Sequence, residues 1–334
     1  MTKNILVTGA CGFIMSFFVN YMSKKYPEYN FIILDKLEYC ASVENVDKNP
    51  NVEIIVGDIA NKELVTYILN KFNIHIIVHG GAFTHVDNSF FNSIDFTLNN
   101  ILGTHVLLET VRLYHEKTGK IEKFLHISTD ETYGTTHGIE PKTETDILCA
   151  TNPYAASKVG AESMALSYFY SYKLPIVISR GNNAYGPNQY PEKIVPKFIC
   201  HLLNNEKLTI HGKGDSRRNF IHVYDTVTAF ETILLQGKIG EIYNISADHS
   251  NEFTVMDIAR KLIKIFHPDV NVDDPSQLNK YLDYIDDRKF NDSRYFISSE
   301  KLYKLDWKPI KTNFDENLKE LIEWYRINKS RYGF

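Results

Sequence analysis

Cysteine is scarce in this chain, with four among 334 residues. Cys11, Cys40, Cys149 and Cys200 stand far apart and form no Cys-x-x-Cys pair, which excludes a thiolate zinc site and a disulfide framework and leaves buried or incidental thiols. Histidine offers no metal site either. His75 and His79 lie four apart in an apparent strand, where that spacing separates them along the chain, so no metal is expected. An excess of charge of one sign is also lacking. The net charge of −4 gives no basis for binding nucleic acid, and any phosphate must be gripped by a few local cations. No apolar run reaches the ~20 residues of a membrane span, and no signal-peptide pattern precedes the first strand. The chain is therefore expected to be soluble and cytoplasmic, with no membrane partner. Repeats, low-complexity tracts and evident linkers are missing as well.

What is present is an ordinary globular balance, 43% hydrophobic and 23% charged residues, in a length that supports one large or two intimate domains. The first half alternates short apolar runs with helical patterns, which implies α/β architecture with a parallel sheet covered on both faces. The runs are Asn4 to Thr8, Phe31 to Leu34, Val52 to Val56, Ile74 to Val78, Phe124 to Ile127 and Ile176 to Ile178. Beyond about Gly181 the alternation loosens into loops, helices and short strands. The expected division is a doubly wound, dinucleotide-binding domain over residues 1–180, rejoined by about 221–245, and a smaller mixed α/β substrate domain over 181–334. A final helix is marked by Asn313 as cap, Glu316 at the reciprocal position, and Leu318, Leu321, Ile322 and Tyr325 on one apolar face.

Two constellations carry chemistry. At the amino terminus, the strand ending at Thr8 runs through Gly9-Ala10-Cys11-Gly12-Phe13-Ile14-Met15 into the apolar-periodic segment Phe17 to Tyr26, the strand, turn and helix order of a dinucleotide site. Gly9 permits the tight turn, and Gly12 lets the backbone approach a pyrophosphate that the helix N-terminus favours. The second strand ends in Asp35, where a carboxylate would bind ribose hydroxyls and repel a 2′-phosphate; NAD is favoured over NADP, although Lys36 next door works against this. The second constellation is His126-Ile127-Ser128-Thr129-Asp130-Glu131-Thr132-Tyr133-Gly134, followed by Tyr154-Ala155-Ala156-Ser157-Lys158. Residues four apart share a helix face, so Lys158 can sit beneath the same pocket as Tyr154. A nearby ammonium and a nicotinamide cation would stabilise a phenolate and make Tyr154 a general base. The bland alternatives are a tyrosine and lysine that merely share a face, and an Asp130-Glu131 pair in a solvated turn.

These blocks resemble the nucleotide-diphosphoglucose 4,6-dehydratases among the extended short-chain dehydrogenase/reductases, over nearly the whole chain. The match extends to Asn152-Pro153-Tyr154, Asn182-Asn183-Ala184-Tyr185-Gly186-Pro187 through Lys193, Arg218-Asn219-Phe220, and Arg288-Lys289-Phe290-Asn291-Asp292-Ser293-Arg294-Tyr295. The segments Leu34 to Cys40 and Arg180 to Asn183 are most similar to the eukaryotic branch, including the dehydratase part of plant rhamnose synthases and related giant-virus proteins. Two departures stand out. Met15 occupies the usual third-glycine position and must bend away or shift the helix, and Gly81-Ala82, followed by Phe83, represents the usual Ala-Ala.

The resemblance implies a Rossmann-type fold, a bound NAD, a nucleotide-sugar substrate and a homodimer formed through helices around Leu98 to Tyr114 and Tyr154 to Tyr172. It places Gly9, Gly12, Phe13, Ile14, Asp35, Lys36, Asp58, Ile59, Gly80, Ala82, Thr84, Asn99, Tyr154 and Lys158 at the cofactor, Asp58 near the adenine. Thr84, Thr129, Asn183, Lys193, Ile194, Thr209, His211, Arg218, Arg288 and Asn291 fall at the substrate; by charge alone, Arg217 and Arg294 are further phosphate candidates. In the implied cycle Tyr154 takes the proton of the glucose 4-hydroxyl, Thr129 holds that oxygen, Glu131 takes the hydrogen of carbon 5, and Asp130 protonates the departing 6-hydroxyl. The product, a 4-keto-6-deoxyglucose nucleotide, would feed deoxysugar synthesis such as that of rhamnose. UDP-glucose is slightly favoured over dTDP-glucose by the plant-like segments. Competing readings are a 4-epimerase or decarboxylase of the same fold, which leaves Asp130-Glu131 unexplained, and a non-catalytic NAD-binding regulator, motivated by Met15 and the Gly80 to Phe83 segment.

Overall fold

The structure, a computed structural model, describes residues 2–287 and 289–333. Its strands are β1 (Asn4–Thr8), β2 (Asn30–Asp35), β3 (Val52–Val56), β4 (Ile76–His79), β5 (Lys123–Thr129), β6 (Ile176–Gly181), β7 (Asn183–Tyr185), β8 (Leu208–His211), β9 (Arg217–His222), β10 (Ile242–Ile245), β11 (Glu252–Thr254) and β12 (Leu282–Ile285). Seven of them form one sheet in the order β10-β6-β5-β4-β1-β2-β3, and every pairing in it is parallel. Strands buried on both faces read as continuous apolar runs, which is how Ile5 to Val7 and Phe31 to Leu34 come to be wholly or nearly wholly buried.

One face is covered by the helices Phe13–Lys25 and Val223–Gln236, whose Phe18, Met22, Phe230 and Ile233 share a core. The other lies under Lys62–Lys71, Gly103–Thr118 and Pro153–Tyr172, with Leu69, Leu107, Val111, Phe124 and Ala165 in its core. The chain order reverses between β1 and β4, so the crevice beyond their carboxyl ends is the natural ligand site of such a sheet. The first helix begins at Phe13, earlier than the periodicity from Phe17 suggests, and β4 runs to His79, one residue past Val78.

A third core, including Phe198, Ile258, Leu262, Phe314, Leu318 and Tyr325, holds together the helices Ile194–Leu203, Val255–Phe266 and Phe314–Asn328. The last is capped by the Asn313 side chain, which accepts from the Glu316 N–H, the half of the expected reciprocal pair that forms. Two small sheets, β11-β9-β7 and β12-β8, carry residues of this second lobe toward the crevice. The segment 221–245 crosses back to supply Val223–Gln236 and the edge strand β10.

Candidate active site

A cavity of about 840 Å³ opens at the carboxyl ends of the large sheet and extends into the second lobe. At its cofactor end Gly9 has φ +73°, and a Cβ there would lie 2.7 Å from the Gly81 Cα; the turn after β1 and the segment after β4 meet backbone to backbone. Gly12 caps the helix from Phe13, and all three residues line the cavity with Ile14. The Asp35 carboxylate is held in place by the Cys11 and Leu37 N–H groups, at 2.9 and 2.8 Å. Lys36 is already committed, with its ammonium 3.1 Å from Glu38 and 4.2 Å above the Phe83 ring, so its charge is drawn away from the role of a 2′-phosphate partner. Ile59, Gly80, Ala82, Thr84 and Asn99 complete this wall. Asp58 does not reach it. That residue is exposed and its carboxylate caps the following turn by accepting from the Ala60 N–H. This cradle, with a carboxylate fixed at the end of β2, fits a dinucleotide.

Met15, near the start of that helix, packs against the segment after β4. Its side chain, 4% exposed, lies over Gly80, where a Cβ would come within 2.5 Å of the Met15 Cγ. The glycine missing from the helix has a counterpart across the turn.

The catalytic candidates gather at the end of β5. Residues Asp130–Tyr133 form a 3-10 turn capped by Thr129, whose Oγ1 accepts from the Glu131 N–H. Thr129, Glu131, Tyr154 and Lys158 line the cavity; Asp130 lies one layer behind them, 1% exposed. Its Oδ2 accepts from Asn182 at 2.7 Å, and Thr129 Oγ1 donates to Oδ1 at 3.2 Å. Burial, and then the Glu131 charge, raise the Asp130 pKa to about 7, so this carboxyl keeps its proton well above the usual carboxylate range. Burial, and then the Glu131 charge, push the Tyr154 pKa up. Lys158 directs its ammonium to the Ile127 carbonyl at 2.7 Å and is lowered by burial to about 8. The lysine thus lies under the pocket while bonding the strand, and is not a direct partner of the phenol.

At the other end Asn183, Lys193, Ile194, Thr209, His211, Arg218 and Asn291 line the cavity. Lys193 donates to the Thr84 carbonyl at 2.6 Å, tying the second lobe to the segment after β4. Arg218 donates to Asn291 Oδ1 at 3.1 Å and its guanidinium lies 4.3 Å over the Tyr295 ring. Arg217 and Arg294 do not join them. Both pair with Glu252 and neither lines the cavity. Arg288 lies outside the described residues.

The sequence pattern of the family described as GDP-mannose 4,6 dehydratase matches residues 6–321. The chain belongs to this dehydratase family. It is 44% identical to the trifunctional UDP-glucose 4,6-dehydratase/UDP-4-keto-6-deoxy-D-glucose 3,5-epimerase/UDP-4-keto-L-rhamnose-reductase of Arabidopsis thaliana over 99% of its own length, but spans only 48% of that relative. The human dTDP-D-glucose 4,6-dehydratase is 43% identical, over 98% of this chain and 91% of that protein. Among solved structures, the dTDP-glucose 4,6-dehydratase of Streptomyces venezuelae, with NAD bound, superposes with a TM-score of 0.88 at 32% identity over 99% of each chain.

Several residues of this dehydratase site escape a reading of the sequence. Asn100 is buried and bonded at both ends of its amide: its Oδ1 accepts from the Phe83 N–H at 2.8 Å and from Asn99 Nδ2 at 2.9 Å, and its Nδ2 donates to the Phe83 carbonyl and the Ser157 hydroxyl, at 3.0 and 2.8 Å. Tyr295 and Asn152 both reach Glu131, at 3.2 and 3.3 Å. The Asn99-Asn100 repeat and the final tyrosine of the Arg288 block were the available signals.

Proposed function

We propose that the protein catalyses the NAD-dependent dehydration of a nucleotide-diphosphoglucose, UDP-glucose or dTDP-glucose, to the 4-keto-6-deoxyglucose nucleotide and water. The observation that carries this reading is the pair of unlike carboxyl groups at the end of β5. Glu131 lies on the cavity wall, while the adjacent Asp130 is buried and raised to about 7, an acid and a base separated by environment.

The chemistry a bound NAD supplies is uptake of hydride from carbon 4 and its return to carbon 6. Gly9, Gly12 and the helix start at Phe13 would hold the pyrophosphate, and Asp35 the ribose. Tyr154, ionised beside the positive charge that a bound NAD would bring, would receive the 4-hydroxyl proton while Thr129 hydrogen-bonds that oxygen. Once carbon 4 is a ketone the carbon 5 hydrogen is acidic, and Glu131 removes it. Asp130, behind the cavity wall, is the source of the proton that leaves with the 6-hydroxyl as water, relayed through the Thr129 hydroxyl that contacts its Oδ1. Arg218, Asn291, Asn183 and Lys193 grip the nucleotide and its phosphates. The two lobes act as cofactor-binding and sugar-nucleotide-binding units of a cytoplasmic homodimer. Leu98, Leu102 and Leu113, with Tyr170 and Tyr172, leave apolar surface exposed on the helices expected at the dimer contact, and sedimentation at working concentration tests that state.

Incubation with each sugar nucleotide, followed by mass spectrometry, should show loss of water, and the ratio of the two turnovers identifies the base. Product formation should decline as pH rises through about 7, where Asp130 loses the proton it must donate. Asp130→Asn with Glu131→Gln should still reduce bound NAD yet release product roughly 10²-fold to 10⁴-fold more slowly. Near-normal product from that variant would overturn the assignment.

A further inference from the structure

The reaction leaves one buried carboxylate beside the site without a task. Asp292 is 2% exposed. Thr135 donates to its Oδ1 at 2.5 Å, and Thr151 and Tyr295 both donate to its Oδ2, the tyrosine at 2.6 Å. The donors come from three places: just after the Asp130–Tyr133 turn, just before the helix Pro153–Tyr172, and the segment of Asp292 itself. The Tyr295 oxygen also faces Glu131 Oε2 at 3.2 Å, where Asn152 Nδ2 approaches at 3.3 Å.

A phenol has a single proton to give. Two carboxylates compete for that of Tyr295, and the contact of 2.6 Å to Asp292 is much the stronger of the two. Burial and the Glu131 charge push the phenol pKa far up, so the proton stays on the tyrosine and only its direction is in play. We propose that Asp292 is a positioning residue for the elimination step: it holds the Tyr295 proton, so that the phenol presents oxygen to Glu131 and leaves the Glu131 lone pairs free for the carbon 5 proton. This rests on the dehydratase reading. Among the described residues, the other charged or titratable groups facing the cluster are Asp130 and Tyr154, which feel the Glu131 charge, and Arg218, which lies over the Tyr295 ring and donates to the Asp292 carbonyl at 2.9 Å.

An amide at position 292 can donate to the Tyr295 oxygen and turn the phenol proton onto Glu131. In Asp292→Asn, single-turnover reduction of the cofactor should stay within about twofold of the wild type, whereas solvent deuterium entry at carbon 5 should slow roughly 10-fold to 100-fold. Reduced cofactor should accumulate. In a Tyr295→Phe background the same substitution should add less than about twofold, because no phenol proton remains to misdirect. A role in folding alone would slow both steps together, and would keep its full effect beside Tyr295→Phe; either result overturns the proposal. A second measurement does not depend on that variant folding. The Tyr295 hydroxyl proton, observed by NMR, should keep its strongly hydrogen-bonded shift in Glu131→Gln, and a shift lost there would place the proton on Glu131 and sink the idea. Failure of the dehydratase reading is distinguishable, since the wild type would then reduce no cofactor with either sugar nucleotide.

Discussion

Methionine 15 and glycine 80 form a size pair across the pyrophosphate turn. The Met15 side chain fills the space that a Cβ at Gly80 would claim, 2.5 Å from its Cγ and 2.8 Å from its Sδ. Truncation at 15 should therefore open a void, and addition at 80 should crowd one. Met15→Ala is expected to cost about 2–3 kcal/mol and to weaken NAD binding, and Gly80→Ala about 1–3 kcal/mol by overpacking. Combined, they should recover at least ~1 kcal/mol over the sum of the single effects, as contacting residues do. Urea unfolding and calorimetric NAD titration of the four proteins check this; strict additivity would mean the two positions do not share one space. From sequence, Met15 looked like an intrusion because its partner lies 65 positions away and glycine announces no packing role of its own.

At the scale of elements, the helix beside the cavity is interrupted by a π-helical stretch, Thr97–Leu102, between Ser93–Phe96 and Gly103–Thr118. Such stretches recur at functional sites, and this one carries Asn99 on the cavity wall and the buried Asn100. Asn100 satisfies both the N–H and the carbonyl of Phe83, pairing as a strand neighbour would, and links that loop to Ser157 on the helix of Tyr154 and Lys158. Asn100→Ala should leave two backbone groups of Phe83 unpaired, lowering stability by about 2–4 kcal/mol and NAD affinity with it. Asn99→Ala should spare stability. Thermal unfolding with cofactor titration would separate the two, and equal stability losses would contradict the assignment. Strand runs, helix caps and the glycine turn were legible in the sequence because each rests on local periodicity or a single residue's backbone preference. The π stretch was not, since the single shift of about 100° it makes in the apolar face looks like the ordinary scatter of apolar spacing within one helix. Asp130 was legible as an acid, yet its place behind the wall depends on Asn182, which lies on another segment.

Across the whole molecule, the central strands bury charge-forming groups that must stay neutral. His79 and His126 face each other in register on β4 and β5, both wholly shielded. His79 bridges Thr8 at 2.7 Å and Thr104 at 2.8 Å, and Thr8 accepts from the Gly81 N–H, so a neutral imidazole links the sheet to the cofactor loop. Among the described residues, His126 has no hydrogen-bond partner at either ring nitrogen. Burial, followed by the Lys158 charge, lowers His79 to about 3 and His126 well below its usual value. Below about pH 6.5 the unfolded chain takes up these protons and the folded one does not, so both residues withdraw stability as pH falls. Asp130 acts oppositely. With its folded pKa near 7 it favours the folded state below the ordinary carboxylate value and loses that contribution as pH rises toward 7. Two protons against one leave these three groups with a net loss on acidification, of order 1.4 kcal/mol per pH unit between about pH 4.5 and 6. Replacing His126 with leucine removes one of the two without breaking a hydrogen bond. His126→Leu should thus match or exceed wild-type stability at pH 7 and flatten the pH dependence by about 1.4 kcal/mol per unit, whereas His79→Leu should flatten it similarly but lose stability at pH 7 by stranding the Thr8 hydroxyl proton. Urea midpoints at five pH values decide, and an unchanged slope in His126→Leu would show that this histidine takes up no proton on unfolding.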